Sequence, residues 1–282
     1  MQRLRNNENS LFKAEGVIII MDYRTMFSLE NKNAVIIGGA GGIGQAIAQG
    51  IAMAGAGTVI ASRSKESLLR AQNEIKAECG KDVGIATVDA VKEDSIIALL
   101  DKTASELGRV DILICAQGIN KKHFAQDFPA EDFREMMEVN VVGVMLCCKQ
   151  FGKHMIGNKY GKIVILGSVR GAVAMLGVGN SAYCTTKGAI VMMTKQLAAE
   201  YGPHGITVNA IAPAITETPM MSAVIEQRGG DAYRRSQGER LPMNRMARPE
   251  DCVGSAVFLA APASDFVTGN IIYPDGGFTA VG

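Results

Sequence analysis

A doubly wound α/β sheet, parallel in its strands and covered by helices on both faces, is the fold this sequence predicts. Two observations carry the prediction. Short and almost wholly apolar runs recur along the chain between longer stretches of helical composition, and strands buried on both faces read this way in a parallel sheet with crossover helices. The first such run is followed at once by Gly38-Gly39-Ala40-Gly41-Gly42-Ile43-Gly44 and then by a helical stretch, so a tight glycine turn links strand to helix.

The elements follow in order. Residues 34–37 form the first strand, and residues 45–54 a helix that Gly55 and Gly57 stop. Residues 58–61 are the second strand, followed by a helix over residues 65–79 with Ser64 as its N-cap. Residues 83–88 are the third strand. The helix over residues 93–107 has apolar side chains at Ile96, Ile97, Leu99, Leu100 and Leu107. Residues 110–114 form the fourth strand, and helical sequence runs from about Glu131 to Ile156. A fifth strand starts at Gly161, a helix carries Tyr183 and ends at Tyr201, and residues 206–211 are the sixth strand. A last helix over residues 249–259 and a last strand over residues 271–273 complete seven strands. No internal repeat or linker divides residues 21–282, which read as one domain. Residues 1–20 are polar apart from a short apolar run too brief for a signal-peptide core; they are expected to be a poorly ordered extension, with synthesis starting at Met21.

Composition excludes several functions. With 29 basic against 28 acidic residues and a net charge of +1, the chain has no electrostatic footprint for nucleic acid or an anionic membrane. No apolar run approaches the ~18 residues of a membrane helix. The six cysteines (Cys79, Cys115, Cys147, Cys148, Cys184, Cys252) form no C-x-x-C, and His123, His154 and His204 stand far apart. Neither a metal site nor a disulfide framework is expected, and a reducing, cytoplasmic location is.

The chemistry concentrates in residues 161–187. An apolar strand leads through a loop holding Ser168 to a helix with Tyr183 and Lys187, which share a helix face at i and i+4. An ammonium beside a phenol favours the phenolate, so Lys187 is expected to lower the Tyr183 pKa, while Ser168 holds a substrate oxygen. The glycine turn brings backbone N–H groups and a helix N-terminus against a pyrophosphate, which marks a dinucleotide site. The second strand ends Ala61-Ser62-Arg63 with no acid for the adenosine ribose, and Glu66 falls in the next helix's first turn. An arginine suits a 2′-phosphate, so NADP(H) is favoured, with NAD(H) the alternative.

Taken together, these motifs resemble the short-chain dehydrogenase/reductase family over about residues 31–282. The match runs through Gly38, Gly42 and Gly44, Asp89, Gly118, Asn140, Ser168, Tyr183 and Lys187, then PAITETPM at residues 213–220 and VTGNIIYPDGG near the C-terminus. The segments GSVRG, YCTTKGA and YGPHGITVNAIAP look most like the gluconate 5-dehydrogenase branch. The resemblance implies a Rossmann-type domain in which Tyr183 is the general acid in reduction and the base in oxidation. Lys187 would also hold the nicotinamide ribose, and Asn140 would fix a helix bend and a water leading protons out. Cofactor contacts would come from Gly38, Gly42, Ile43, Gly44, Ser62, Arg63, Asp89, Ala90, Ala116, Gly118, Tyr183, Lys187, Pro213, Thr216 and Thr218. A homotetramer is implied, with helices 131–156 and 183–201 in its contacts.

Three positions depart from the family pattern. Ile37 stands where Thr is common, Cys115-Ala116-Gln117-Gly118 replaces N-N-A-G, and Ala214 follows Pro213 where Gly is usual. The first two remove both partners of a polar link between strand ends, which costs far less than orphaning one. Cys115 is read as a buried inert thiol.

Residues 216–247 read as a mobile polar lid with paired glycines at 229 and 230 and with Arg228, Arg234, Arg235, Arg240 and Arg245. Arg170 or a lid arginine is expected to bind a carboxylate, and Ser168, Arg170 and Tyr183 are the substrate contacts. The expected activity is hydride transfer between a nicotinamide cofactor and a secondary alcohol or ketone, such as a sugar acid or hydroxy acid. The alternatives are a 3-oxoacyl thioester reductase and, from another class, a non-catalytic dinucleotide-binding regulator.

Overall fold

Successive side chains of a strand point to opposite faces, and here both faces are apolar. On β1 (Asn33–Ile37), Ala34 and Ile36 pack into one core while Val35 and Ile37 pack into the other. The computed structural model describes residues 11–14, 17–20 and 23–281. Its main sheet adds β2 (Gly57–Ser62), β3 (Gly84–Thr87), β4 (Ile112–Cys115), β5 (Gly161–Leu166), β6 (Ile206–Ile211) and β7 (Ile271–Ile272). All seven are parallel, as the sequence predicts, and their order is 3-2-1-4-5-6-7.

One face carries α1 (Gly42–Met53), α2 (Lys65–Cys79) and, late in the chain, a helix whose Leu259 joins the same core as Ile47 and Leu68. The other carries α3 (Glu93–Leu107) and the helices that supply Phe151 and Ile190 to the opposite core. The boundaries follow local chemistry. Ser64 accepts from the Ser67 amide and caps α2, and Gly80, at φ +72°, ends it.

The helical stretch near Glu131 is three pieces: α4 (Ala130–Met137), a π turn over Glu138–Val142, and α5 (Gly143–Asn158). The widened turn centres on Asn140, at the place where the family resemblance implied a helix bend. Next come α6 (Ser181–Tyr201), α7 (Pro219–Gln227), α8 (Asp231–Gly238) and α9 (Val253–Ala260). Thus the expected polar lid contains two helices. Its neck is closed by a parallel bridge between Thr216 and Ala247, with the Glu217 amide donating to the Ala247 carbonyl at 2.8 Å.

Of the expected N-terminal extension, residues 1–10, 15 and 16 lie outside the described residues. Leu11–Ala14 and Val17–Ile20 pair as an antiparallel ribbon apart from the main sheet, where no strand was expected. The β-branched run Val17-Ile18-Ile19-Ile20 favours that conformation.

Candidate active site

Beside β1 the order of connection reverses, and a cavity of about 590 Å³ opens beyond the carboxyl ends of the strands. A Cβ at Gly38, where φ is +83°, would stand 2.6 Å from the Gln117 amide nitrogen, and one at Gly44 would strike the Gly38 carbonyl oxygen. The glycine turn therefore packs backbone against backbone. At Gly41 a Cβ would meet no protein atom within 4 Å, although Gly41 lines the cavity. That open cradle at the start of α1 fits the pyrophosphate of a dinucleotide.

Every cofactor residue expected from the sequence lines this cavity, from Gly42, Ile43 and Gly44 through Ser62, Arg63, Asp89, Ala90, Ala116 and Gly118 to Pro213, Thr216 and Thr218. Arg63 is exposed and makes no ion pair among the described residues, whereas Glu66 is not part of the wall. The end of β2 thus offers a free cation and no carboxylate.

Tyr183 and Ser168 lie where this cavity meets a second one of about 320 Å³, with Asn120, Ala214 and Thr216 also in both walls. Lys187 is buried, its Nζ donating to the Leu166 carbonyl at 2.7 Å and standing 5.6 Å from the Tyr183 ring centre. Burial pushes the Lys187 ammonium down to about 8. The expectation that Lys187 holds the Tyr183 phenol below its ordinary value is corrected. Burial raises the phenol, and the Ser168 hydroxyl opposes that rise only in part. The reason is desolvation: the pocket that brings phenol and ammonium together disfavours the charged form of each.

Asn140 is fully enclosed. Its Oδ1 accepts from the Ile119 amide at 2.8 Å, and its Nδ2 donates to the Ile119 carbonyl at 2.8 Å and to Thr186 Oγ1 at 3.2 Å. It thereby fastens the π turn to the segment after β4 and to α6.

Among the departures, Ile37 and Cys115 are register partners on β1 and β4, and both side chains lie in one apolar core. The missing polar link is replaced by packing. Cys115 is wholly buried, and its thiol is raised well above its ordinary value by hydrogen bonding with Cys147 and Cys148 and by burial. Gln117 is the less well satisfied replacement: its Nε2 reaches the Cys147 sulfur at 3.8 Å, and its buried Oε1 has no partner among the described residues.

The second cavity separates the arginines. Arg170, Arg228 and Arg240 line it together with Lys122. Arg234 instead pairs with Asp231 at 2.8 Å and reaches Glu217 and Glu226, and Arg245 grips both oxygens of Asp251 at 2.7 and 2.8 Å. Arg235 lies outside the wall. Sequence reasoning missed Asn120, Lys122 and Phe278. The first two follow Gly118 closely and were findable as the continuation of that turn. Phe278 had no local signal: it reaches the cavity because the Asp275 carboxylate accepts from Gly277 and Thr279 and folds the C-terminal turn inward.

The family model described as enoyl-(acyl carrier protein) reductase matches residues 38–279. Gluconate 5-dehydrogenase of Gluconobacter oxydans is 34% identical over 259 residues, covering 92% of this chain and 99% of that protein. Galactitol 2-dehydrogenase of Rhizobium johnstonii is 36% identical over 270 residues, covering 92% and 99%. The crystal structure of a gluconate 5-dehydrogenase from Burkholderia cenocepacia in complex with NADP and tartrate superposes with a TM-score of 0.84 at 32% identity, covering 92% of this chain and 99% of that one.

Proposed function

The chain belongs to the short-chain dehydrogenase/reductase family, and on that premise we propose an NADP(H)-linked oxidoreductase that interconverts a secondary alcohol and a ketone on a polyhydroxylated acid. The observation that carries this reading is the placement of Tyr183 and Ser168 at the junction of two cavities, one walled by the glycine turn and Arg63, the other by cations. The relatives named for gluconate and galactitol support oxidation of a secondary alcohol on a polyhydroxylated chain, and the gluconate 5-dehydrogenase bound to NADP and tartrate supports an acid and the phosphorylated cofactor.

Gly38 to Gly44 would hold the pyrophosphate, and Ser62 and Arg63 the 2′-phosphate. Asp89, Ala90 and Ala116 would lie along the adenosine half, with Pro213, Thr216 and Thr218 at the nicotinamide end. Bound there, the reduced nicotinamide would supply a hydride to the carbonyl carbon. Ser168 would donate a hydrogen bond to the carbonyl oxygen, and Tyr183 would give that oxygen its phenolic proton. A phenol raised by burial stays protonated at neutral pH, which suits it to act as the acid. Lys187 would hold the ribose and, with Asn140, stand on the route by which Tyr183 regains a proton from solvent.

Six free thiols support a reducing, cytoplasmic location. The exposed apolar side chains Phe133, Val142, Met145 and Met192 on α4, the π turn, α5 and α6 support a homotetramer joined through these faces.

The test is to follow nicotinamide absorbance with keto sugar acids, neutral ketoses and 3-oxoacyl thioesters. Fastest turnover on the sugar acids with NADPH is expected. Preferential reduction of thioesters would instead make the chain a thioester reductase, and tight NADPH binding without turnover of any substrate would make it a regulator.

A further inference from the structure

The second cavity holds more positive charge than one carboxylate accounts for. Lys122 follows β4, Arg170 follows Ser168, Arg228 ends α7 and Arg240 follows α8, so separate segments bring four cations to one wall. No Asp or Glu lines that cavity, and none of the four makes an ion pair among the described residues. Their polar contacts are neutral. Arg170 donates to the Ala174 carbonyl at 2.8 Å and faces the Phe278 ring at 5.1 Å, Arg240 reaches Gln237 Oε1 at 3.3 Å, and Arg228 stands 5.8 Å from the centre of the Tyr233 ring. In the same wall Asn180 is buried, and its Oδ1 has no partner among the described residues. Elsewhere in the lid the same residue type is neutralised, as the contacts of Arg234 and Arg245 show.

Resting on the reading of this cavity as the substrate site, we propose that the substrate carries two anionic groups, a carboxylate and a second carboxylate or phosphate monoester, held by Arg170 with Arg240 and by Lys122 with Arg228. The mutual influence of the cations supports the grouping. Besides burial, Arg228 and Arg170 push the Lys122 ammonium down, and Arg240 does the same to Arg170. A cleft lined by one sign of charge concentrates ligands of the other, and arginine's fork suits carboxylate and phosphate alike. In the same wall the Asn180 oxygen, without a partner among the described residues, is an acceptor for a substrate hydroxyl.

The experiment compares kcat/KM, with NADPH and the whole chain, for keto aldonates and their 6-carboxylate and 6-phosphate counterparts. An advantage of at least about tenfold for one dianion is expected, shrinking as ionic strength rises. Which counterpart gains identifies the second group. In a Lys122→Gln/Arg228→Gln variant, whose replaced side chains are exposed and free of ion pairs, the ratio of dianion to monoanion kcat/KM falls toward one. Equal kcat/KM for monoanion and dianions in the parent, or a ratio unchanged in the variant, overturns the proposal while leaving the oxidoreductase reading intact. Calorimetry of the NADPH-loaded protein with tartrate and lactate, which the reduced cofactor cannot oxidise, reads anion recognition without turnover, so failure of the activity itself is told apart. Tighter tartrate binding that the double variant loses supports the two-anion site, and equal affinity for tartrate and lactate overturns it.

Discussion

At the scale of single residues, burial governs the chemistry. Replacing Tyr183 with Phe is expected to lower kcat by ~10²–10⁴-fold while the NADPH dissociation constant stays within a few-fold, measured by steady-state kinetics and fluorescence titration. Lys187 gives a sharper expectation. Its pKa is about 8 when folded, below the ordinary 10.5, so the folded state binds fewer protons than the unfolded chain between those values. The resulting destabilisation is complete below about pH 8 and is relieved as pH rises toward 10.5. Its size is of order 3 kcal/mol. Lys187→Met should therefore melt at the same or a higher temperature than the parent at pH 7 and lose the rise in stability above pH 8, while turnover collapses. A melting temperature several degrees lower would show that the ammonium stabilises the fold. At the adenosine end, Arg63→Asp should shift the NADPH-to-NADH preference in kcat/KM toward NADH by about tenfold or more, since it exchanges a phosphate partner for a ribose partner.

At the scale of elements, the segment 216–247, expected to act as a lid, is held by its neck and by one carboxylate behind it. Asp251 accepts from both Arg245 terminal nitrogens and from the Arg248 amide at 2.7 Å, so it ties the end of the lid to the turn that opens α9. Arg245 and the Arg248 amide hold the Asp251 carboxyl at about 2, against an ordinary 3.8. A lowered carboxylate pKa contributes stability above the unfolded value and loses it as pH falls through the folded one. Asp251→Asn should thus cost about 1 kcal/mol at pH 7, a modest figure because the pair is partly exposed, and should nearly match the parent below about pH 2. Thermal melts across pH 2–7 check this, and a raised substrate KM is expected from the loosened neck. The π turn makes a similar point. Tyr183 and Lys187 were legible as i, i+4 partners because helix geometry is local. That Asn140 is satisfied by Ile119 and Thr186 was not, because those contacts join distant segments.

At the scale of the whole molecule, two apolar cores clamp the sheet, and the apolar side chains left outside on α4, α5 and α6 point to assembly. Sedimentation should show a tetramer at micromolar concentration, and Met145→Glu combined with Met192→Glu should shift the chain to smaller species without unfolding it. A monomeric parent would remove the assembly proposal.

The sequence by itself determined the seven parallel strands, the glycine turn, the absence of an acid at the end of β2 and the pairing of Tyr183 with Lys187 on one helix face. Each is written in a local pattern: alternation, backbone freedom at glycine, or spacing along one helix. The tertiary structure alone decided which arginines are free of ion pairs among the described residues. Arg228 and Arg240 look like Arg234 and Arg245 in the chain, and only the position of Glu217, Glu226, Asp231 and Asp251 in space distinguishes them. It also decided the direction of the Tyr183 pKa, because desolvation depends on everything packed around a group and no short stretch of sequence records it.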